Sequence, residues 1–171
     1  YDLSEEYYLK AIKADNKLPF AHYNMALVME KKNNTPKAKE YYEKAIELDP
    51  TYSSAHNGLG IVYYNDGDYD KAMYHYQKAL ASDPKFVYAY YNIGLIYEKK
   101  EEWRQTYIWY KKALKVDPAY KPALDGLDFI KKQAPDMDFN NINENETEIN
   151  PTAEIQPEKT ILEKYGRNLT Q

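Results

Sequence analysis

The chain has 171 residues, 23 basic against 27 acidic side chains for a net charge of −4, 43% hydrophobic residues and no cysteine. The missing cysteine excludes disulfides, thiolate metal sites and a cysteine nucleophile, and the apolar runs are too short to span a bilayer. The charge is uneven: residues 1–134 carry 20 basic and 19 acidic groups, while residues 136–158 carry seven acidic groups and no lysine or arginine, which offers nucleic acid no basic face.

Read in chain order, residues 1–18 resemble only the second half of the units that follow, with Ser4, Tyr8, Ala11 and Ile12 on one helix. Tyr1 falls where that helix begins, so more repeat sequence is expected upstream. Residues 19–52, 53–86 and 87–120 then repeat at a period of 34. Ala11, Ala45, Ala79 and Ala113 share one register, and Tyr8, Tyr42, Tyr76 and Tyr110 another. Asp15, Asp49, Asp83 and Asp117 form a further column, three of them followed by proline.

Inside each unit the apolar spacing predicts two helices: Leu59, Val62 and Tyr63 on the first, Ala72, Tyr76 and Ala79 on the second. Asn65-Asp66-Gly67-Asp68 predicts the turn between them, ending one helix and capping the next. In the preceding unit the same place reads Asn33-Asn34-Thr35-Pro36, with Thr35 expected as N-cap and Pro36 as the first helical residue. Asp83 before Pro84 is pushed out of helical backbone angles, so the second helix stops there. Small residues on first helices (Ala26, Gly60, Gly94) let the paired helices approach, and Tyr42, Tyr76 and Tyr110 are expected to fill the space between successive hairpins. Residues 121–134 repeat a first helix only and read as a cap, because Asp128 and Lys131 replace the small and the aromatic residue and leave a polar outer face. Residues 135–157 read as an acidic, extended linker, and residues 158–171 as a short helix ending at Gly166.

The unit 53–86, with Leu59-Gly60, Tyr63, Gly67, Ala72, Tyr76, Ala79 and Pro84, resembles the tetratricopeptide repeat family nearly throughout. Units 19–52 and 87–120 match with Met25-Ala26 and Met29 in the Leu-Gly and Tyr places of the former, and with Glu101 and Thr106 where glycine and alanine are usual in the latter. The resemblance implies an all-α fold: a right-handed superhelix of antiparallel hairpins, with the capping helix and acidic tail appended. It implies a peptide-binding groove lined by first helices. In this chain the groove positions are Phe20, Tyr23, Asn24 and Leu27, then Asn57, Gly58, Ile61 and Tyr64, then Tyr88, Tyr91, Asn92 and Leu95, with Phe129 from the cap. Exposed aromatic stripes of this kind mark protein interfaces. Repeat co-chaperones that grip acidic chaperone tails place Lys, Asn, Asn, Lys and Arg at positions held here by Tyr23, Leu27, Gly58, Tyr88 and Asn92, so that use is not expected.

The stretch Thr160-Ile-Leu162-Glu-Lys-Tyr165-Gly166-Arg167-Asn-Leu169-Thr170 looks like the lead-in to the first AAA+ module of Clp-family unfoldases. It implies a domain that recruits substrates or adaptors for such an ATPase, with no phosphate loop in this chain. The alternative is a scaffold that self-associates, in which Phe139, Ile142, Ile161, Leu162 and Tyr165 anchor the tail on a groove, its own or a neighbour's. No enzyme activity, cofactor or metal is expected. His22, His56 and His75 occupy aromatic repeat columns and read as packing, not as metal ligands. The expected partner is a protein or peptide, with no nucleic acid and no membrane, and the expected location is cytoplasmic.

Overall fold

A computed structural model describes residues 2–143 of the chain. Among them lie eight α-helices: α1 (Asp2–Ala14), α2 (Pro19–Lys31), α3 (Thr35–Leu48), α4 (Ser53–Asn65), α5 (Tyr69–Ser82), α6 (Val87–Lys99), α7 (Trp103–Val116) and α8 (Lys121–Gln133). A single 3-10 turn, Phe139–Asn141, follows, and the described residues contain no strand. Helices α2 and α3, α4 and α5, and α6 and α7 pair as hairpins, and each hairpin also packs on the next. The result is an all-α solenoid of the tetratricopeptide type. None of these helices is long and apolar enough to cross a membrane.

The turns follow from single residues. Within the hairpins the chain reverses through a left-handed residue at one register: Gly67 at φ 80°, Asn33 at 55° and Glu101 at 58°. Glycine and asparagine tolerate this backbone, whereas a glutamate adopts it at a cost. Asp68 caps α5 by accepting from the Lys71 N–H at 3.2 Å. The cap of α3 is Asn34, which accepts from the Lys37 N–H at 3.3 Å. This corrects the expectation of Thr35: the asparagine one residue earlier, with its amide oxygen one bond further from the backbone than a threonine hydroxyl, reaches the third N–H, so Thr35 and Pro36 become the first two helical residues, where proline's missing N–H costs nothing.

Between units the aspartate column does more than precede proline. Asp49, Asp83 and Asp117 end their helices in extended backbone. Their carboxylates accept from the N–H two residues on: Thr51 at 2.9 Å, Lys85 at 2.9 Å and Ala119 at 3.0 Å. Asp15 does the same with Lys17 at 2.9 Å. From the following helix the side chains at a single register reach back to this turn. His22 Nε2 lies 3.0 Å from the Asn16 carbonyl, His56 Nε2 lies 3.1 Å from that of Pro50, and the Tyr90 hydroxyl donates to that of Pro84 at 3.2 Å. The buried histidines are thereby tied into the turns, in keeping with a packing role.

The core runs along the array as clusters shared between neighbouring helices. Ala38, Ala45, Ala72, Ala79, Ala89, Ala113 and Ala123 are wholly buried and bring the helix axes together. Among the described residues, Tyr42, Tyr76 and Tyr110 are the largest side chains that are fully buried, 1% exposed or less. A Cβ on Gly60 would stand 2.5 Å from the Tyr76 ring, and one on Gly94 2.5 Å from the Tyr110 ring. From the next unit, Gly58 lies equally close to Tyr42 and Gly126 to Tyr110. Thr106, where alanine is usual, is buried without loss because its hydroxyl donates to the Glu102 carbonyl at 3.1 Å.

Candidate functional site

The residues expected to line a groove fall on α2, α4, α6 and α8 and form a row of rings. Tyr23 packs against Tyr42 and Tyr52, with centroids 5.9 and 5.2 Å apart. Tyr64 meets Tyr69 at 5.5 Å. Tyr91 stacks on Tyr110 at 5.2 Å and meets Tyr120 edge-on at 5.6 Å, while Tyr88 touches both Phe86 and Tyr120. Phe20, Tyr88 and Phe129 remain exposed, at 61, 53 and 41%. Tyr23, Tyr64 and Tyr91 are half-buried, and burial raises the pKa of each hydroxyl. Leu27, Ile61 and Leu95 are half-buried against the three hairpin cores.

Three aromatic residues join this row that sequence reasoning left out: Tyr52, Phe86 and Tyr120, each the N-cap of the following first helix. Their signal was present as one more 34-residue column. Because they precede the helices, helical spacing alone does not place them. Conversely, Gly58 is buried beneath the Tyr42 ring and cannot contact a ligand. Its role is to admit that ring.

The amides divide. The Asn92 Nδ2 donates to the Asn57 Oδ1 at 2.8 Å, across two units. This bond leaves Asn92 Oδ1 as an acceptor and Asn57 Nδ2 as a donor, a pair that matches a peptide backbone. Asn24 instead donates to the Phe20 carbonyl of its own helix at 2.8 Å.

Two carboxylates stand among the rings. Glu30 accepts from the Tyr42 hydroxyl at 2.9 Å, and Glu98 accepts from the Tyr110 hydroxyl. Burial raises the pKa of Glu30, against the opposing effect of the Tyr42 bond. The hydroxyls of Tyr42 and Tyr110 are pushed far above the usual tyrosine range, first by burial and then by the adjacent carboxylate.

These hairpins, their small-for-large packing and their turn residues are those of one known repeat. Family models described as tetratricopeptide repeat match residues 19–52, 41–74 and 87–120, and one described as TPR repeat matches 62–101. Residues 19–120 belong to the tetratricopeptide repeat family. No curated protein matches the chain in sequence. Among solved structures, the tetratricopeptide domain of Arabidopsis OM64 is similar at a TM-score of 0.64 and 20% identity, covering 67% of this chain and 95% of that one. The first such domain of Spaghetti (RPAP3), bound to the HSP90 peptide SRMEEVD, is similar at 0.65 and 16% identity, covering 71% and 96%. MamA is 31% identical at a TM-score of 0.59, over 67% of this chain and 62% of MamA.

On the second helices, the third histidine gains a partner that its column did not foretell. His75 Nδ1 lies 3.2 Å from His56 Nδ1, and its ring stacks on Tyr63 at 5.5 Å with the planes 9° apart. Because His56 Nε2–H is committed to the Pro50 carbonyl, His56 Nδ1 accepts and His75 Nδ1–H donates. Burial lowers both pKa values, that of His75 to about 3 with help from His56 and Lys39, so both rings are neutral near pH 7. Among the described residues no three histidine, aspartate or glutamate side chains gather as a metal site.

Of the expected tail anchors, Phe139 packs on Tyr107 of α7 at 5.3 Å and joins the cluster of α7 and α8. Its ring partner thus belongs to a second helix, and the cluster it joins also receives Tyr91, Leu95 and Tyr120. Ile161, Leu162 and Tyr165, and the Clp-like stretch Thr160–Thr170, lie outside the described residues.

Proposed function

We propose that this solenoid binds an extended peptide of a partner protein along the face of α2, α4, α6 and α8. The observation that carries the reading is the set of partly exposed rings Tyr23, Tyr64, Tyr88 and Tyr91 on successive first helices, among which the Asn57–Asn92 pair keeps one donor and one acceptor free. Rigid aromatic side chains supply contact area at little entropic cost, and the amide pair fixes a backbone between them. The Spaghetti domain holds an acidic peptide. Here the positions that would grip such a tail are Tyr23, Leu27, Gly58, Tyr88 and Asn92, without a cation among them, so an aromatic or apolar ligand fits better. The test is a fluorescence titration with an uncharged, tyrosine- and leucine-bearing peptide against the Tyr88→Ala/Tyr91→Ala double variant. Unchanged affinity in that variant refutes the groove.

The wider role we propose is recruitment of substrates or adaptors to a Clp-type ATPase in the cytoplasm, supported by the pattern Leu162, Tyr165, Gly166-Arg167, Leu169-Thr170. A phosphate-binding Gly-Lys-Thr loop in the next hundred or so residues of the gene is the expected finding, and its absence removes this role without touching the groove. Self-association through the tail is the competing role. It requires that deleting residues 136–171 lower the mass measured by light scattering.

A further inference from the structure

The groove proposed above has a second periodicity, and the inference drawn here rests on that groove. Within the 34-residue repeat, one set of residues recurs at twice the period. Tyr23, Glu30, Tyr42 and Tyr52 return 68 positions later as Tyr91, Glu98, Tyr110 and Tyr120. The structure assembles each set in the same way. In the first, Tyr23 packs against Tyr42 and Tyr52, and the Tyr42 hydroxyl donates to Glu30. In the second, Tyr91 packs against Tyr110 and Tyr120, and the Tyr110 hydroxyl donates to Glu98. Each set is a half-buried carboxylate held by the hydroxyl of a buried tyrosine, whose ring packs on a first-helix tyrosine that meets a third; we call each set a tyrosine–glutamate box.

The middle unit breaks the pattern. Asn57 replaces the first tyrosine, Tyr64 stands where the carboxylate would be, and Phe86 replaces the last tyrosine. Tyr76 is nonetheless as deeply buried as Tyr42 and Tyr110. Burying that tyrosine therefore does not require a carboxylate, and the hairpin folds without one. Glu30 and Glu98 are half-buried, and desolvating a carboxylate is unfavourable. Lys31 and Lys99, the next residues, stand exposed at the helix ends.

We infer that the two tyrosine–glutamate boxes are paired sites for cationic side chains, and that the ligand is a basic peptide carrying two lysines or arginines separated by an uncharged segment. Tyrosine faces attract an ammonium or guanidinium through the ring quadrupole, and the carboxylate oxygen not held by the tyrosine accepts its hydrogen bond. The neutral Asn57–Asn92 pair and Tyr64 lie between the boxes and suit backbone and an apolar side chain. Neighbouring packed helices stand about 8–10 Å apart, so boxes two units apart are separated by roughly 16–20 Å. Extended chain advances about 3.3 Å per residue, which places the two basic residues about five or six positions apart.

The experiment compares three labelled peptides on the whole chain at low salt. One is a dodecapeptide of Gly, Ser, Leu and Tyr with two lysines six positions apart as its only charged side chains; the second is the same peptide with both lysines acetylated; the third is SRMEEVD. The lysine peptide should bind about tenfold or more tighter than the acetylated one. Glu30→Gln with Glu98→Gln should erase that difference, since glutamine keeps the tyrosine hydrogen bond and removes the charge. The peptide arm needs no variant, so it decides the matter even where the double variant is destabilised. Equal binding of lysine and acetyl-lysine peptides, or preference for SRMEEVD, overturns the basic ligand. The groove itself survives that result if Tyr88→Ala/Tyr91→Ala still weakens the bound peptide, whereas no binding by any of the three overturns both.

Discussion

Tyrosine does two different jobs in this molecule, and the contrast between its two sets shows how the solenoid separates stability from recognition. Tyr42, Tyr76 and Tyr110 on the second helices are at most 1% exposed, each with a glycine directly under its ring. Tyr23, Tyr64, Tyr88 and Tyr91 on the first helices keep part of their surface open. The residue type is the same, and the difference is what stands opposite. Where a neighbouring helix presents glycine the ring sinks in. Where it presents another ring, the tyrosine keeps part of its surface open. Burial there raises the hydroxyl pKa of Tyr23, Tyr64 and Tyr91 without closing them off.

The sharpest way to break this contrast is to truncate one ring of each kind. Tyr110→Ala empties the space between Gly94 and Gly126 and should cost about 3–5 kcal/mol in urea unfolding, as large aromatic-to-alanine changes in cores do. Tyr88→Ala, on the open set, should move the unfolding midpoint little. If the two variants lose similar stability, the division between structural and surface tyrosines is wrong.

Acid should attack the interior and spare the open face. His75 has its pKa lowered from 6.5 to about 3, so the unfolded chain binds its proton first as pH falls. Stability held by the neutral ring is complete above pH 6.5 and is lost progressively toward pH 3. His75→Phe should flatten the stability–pH curve in that window relative to the native chain. Superimposable slopes for the two proteins would show that the His56–His75 contact is not where acid acts.

A smaller effect is expected on binding. Tyr88→Ala with Tyr91→Ala should weaken capture of an aromatic peptide by about 2 kcal/mol, the scale of interface aromatics. Because Tyr91 stacks on Tyr110, Tyr88→Ala alone separates lost contact from lost packing: it should weaken binding at nearly unchanged stability. Smallest is a gain. Glu101 holds a left-handed backbone at φ 58° where the equivalent turn of the next hairpin back uses Gly67, so Glu101→Gly should stabilise the chain by about 1 kcal/mol. A loss of stability would mean that the glutamate side chain, not its backbone, holds that turn.

By itself the sequence determined what is local and periodic. The 34-residue columns specify alternating first and second helices. The glycine and asparagine turns, and the aspartates that end Leu48, Ser82 and Val116, were legible because each acts within two or three residues of itself. The buried tyrosines were legible because a column of large residues beside a column of small ones has one efficient packing. Only the tertiary structure decided the contacts made across units. Periodicity puts His75 in a column with Tyr41 and Trp109, but only the approach of α4 and α5 sets its Nδ1 against that of His56. It also seats Phe139 on Tyr107 and adds Tyr52 and Tyr120 to the aromatic row. It joins Asn92 to Asn57, 35 residues apart, and sets Glu30 and Glu98 on the hydroxyls of Tyr42 and Tyr110. A repeat period states which residues are equivalent. It does not state which of them touch, because touching depends on the angle and distance at which one hairpin settles on the next, and that is set by the summed packing of every side chain between them.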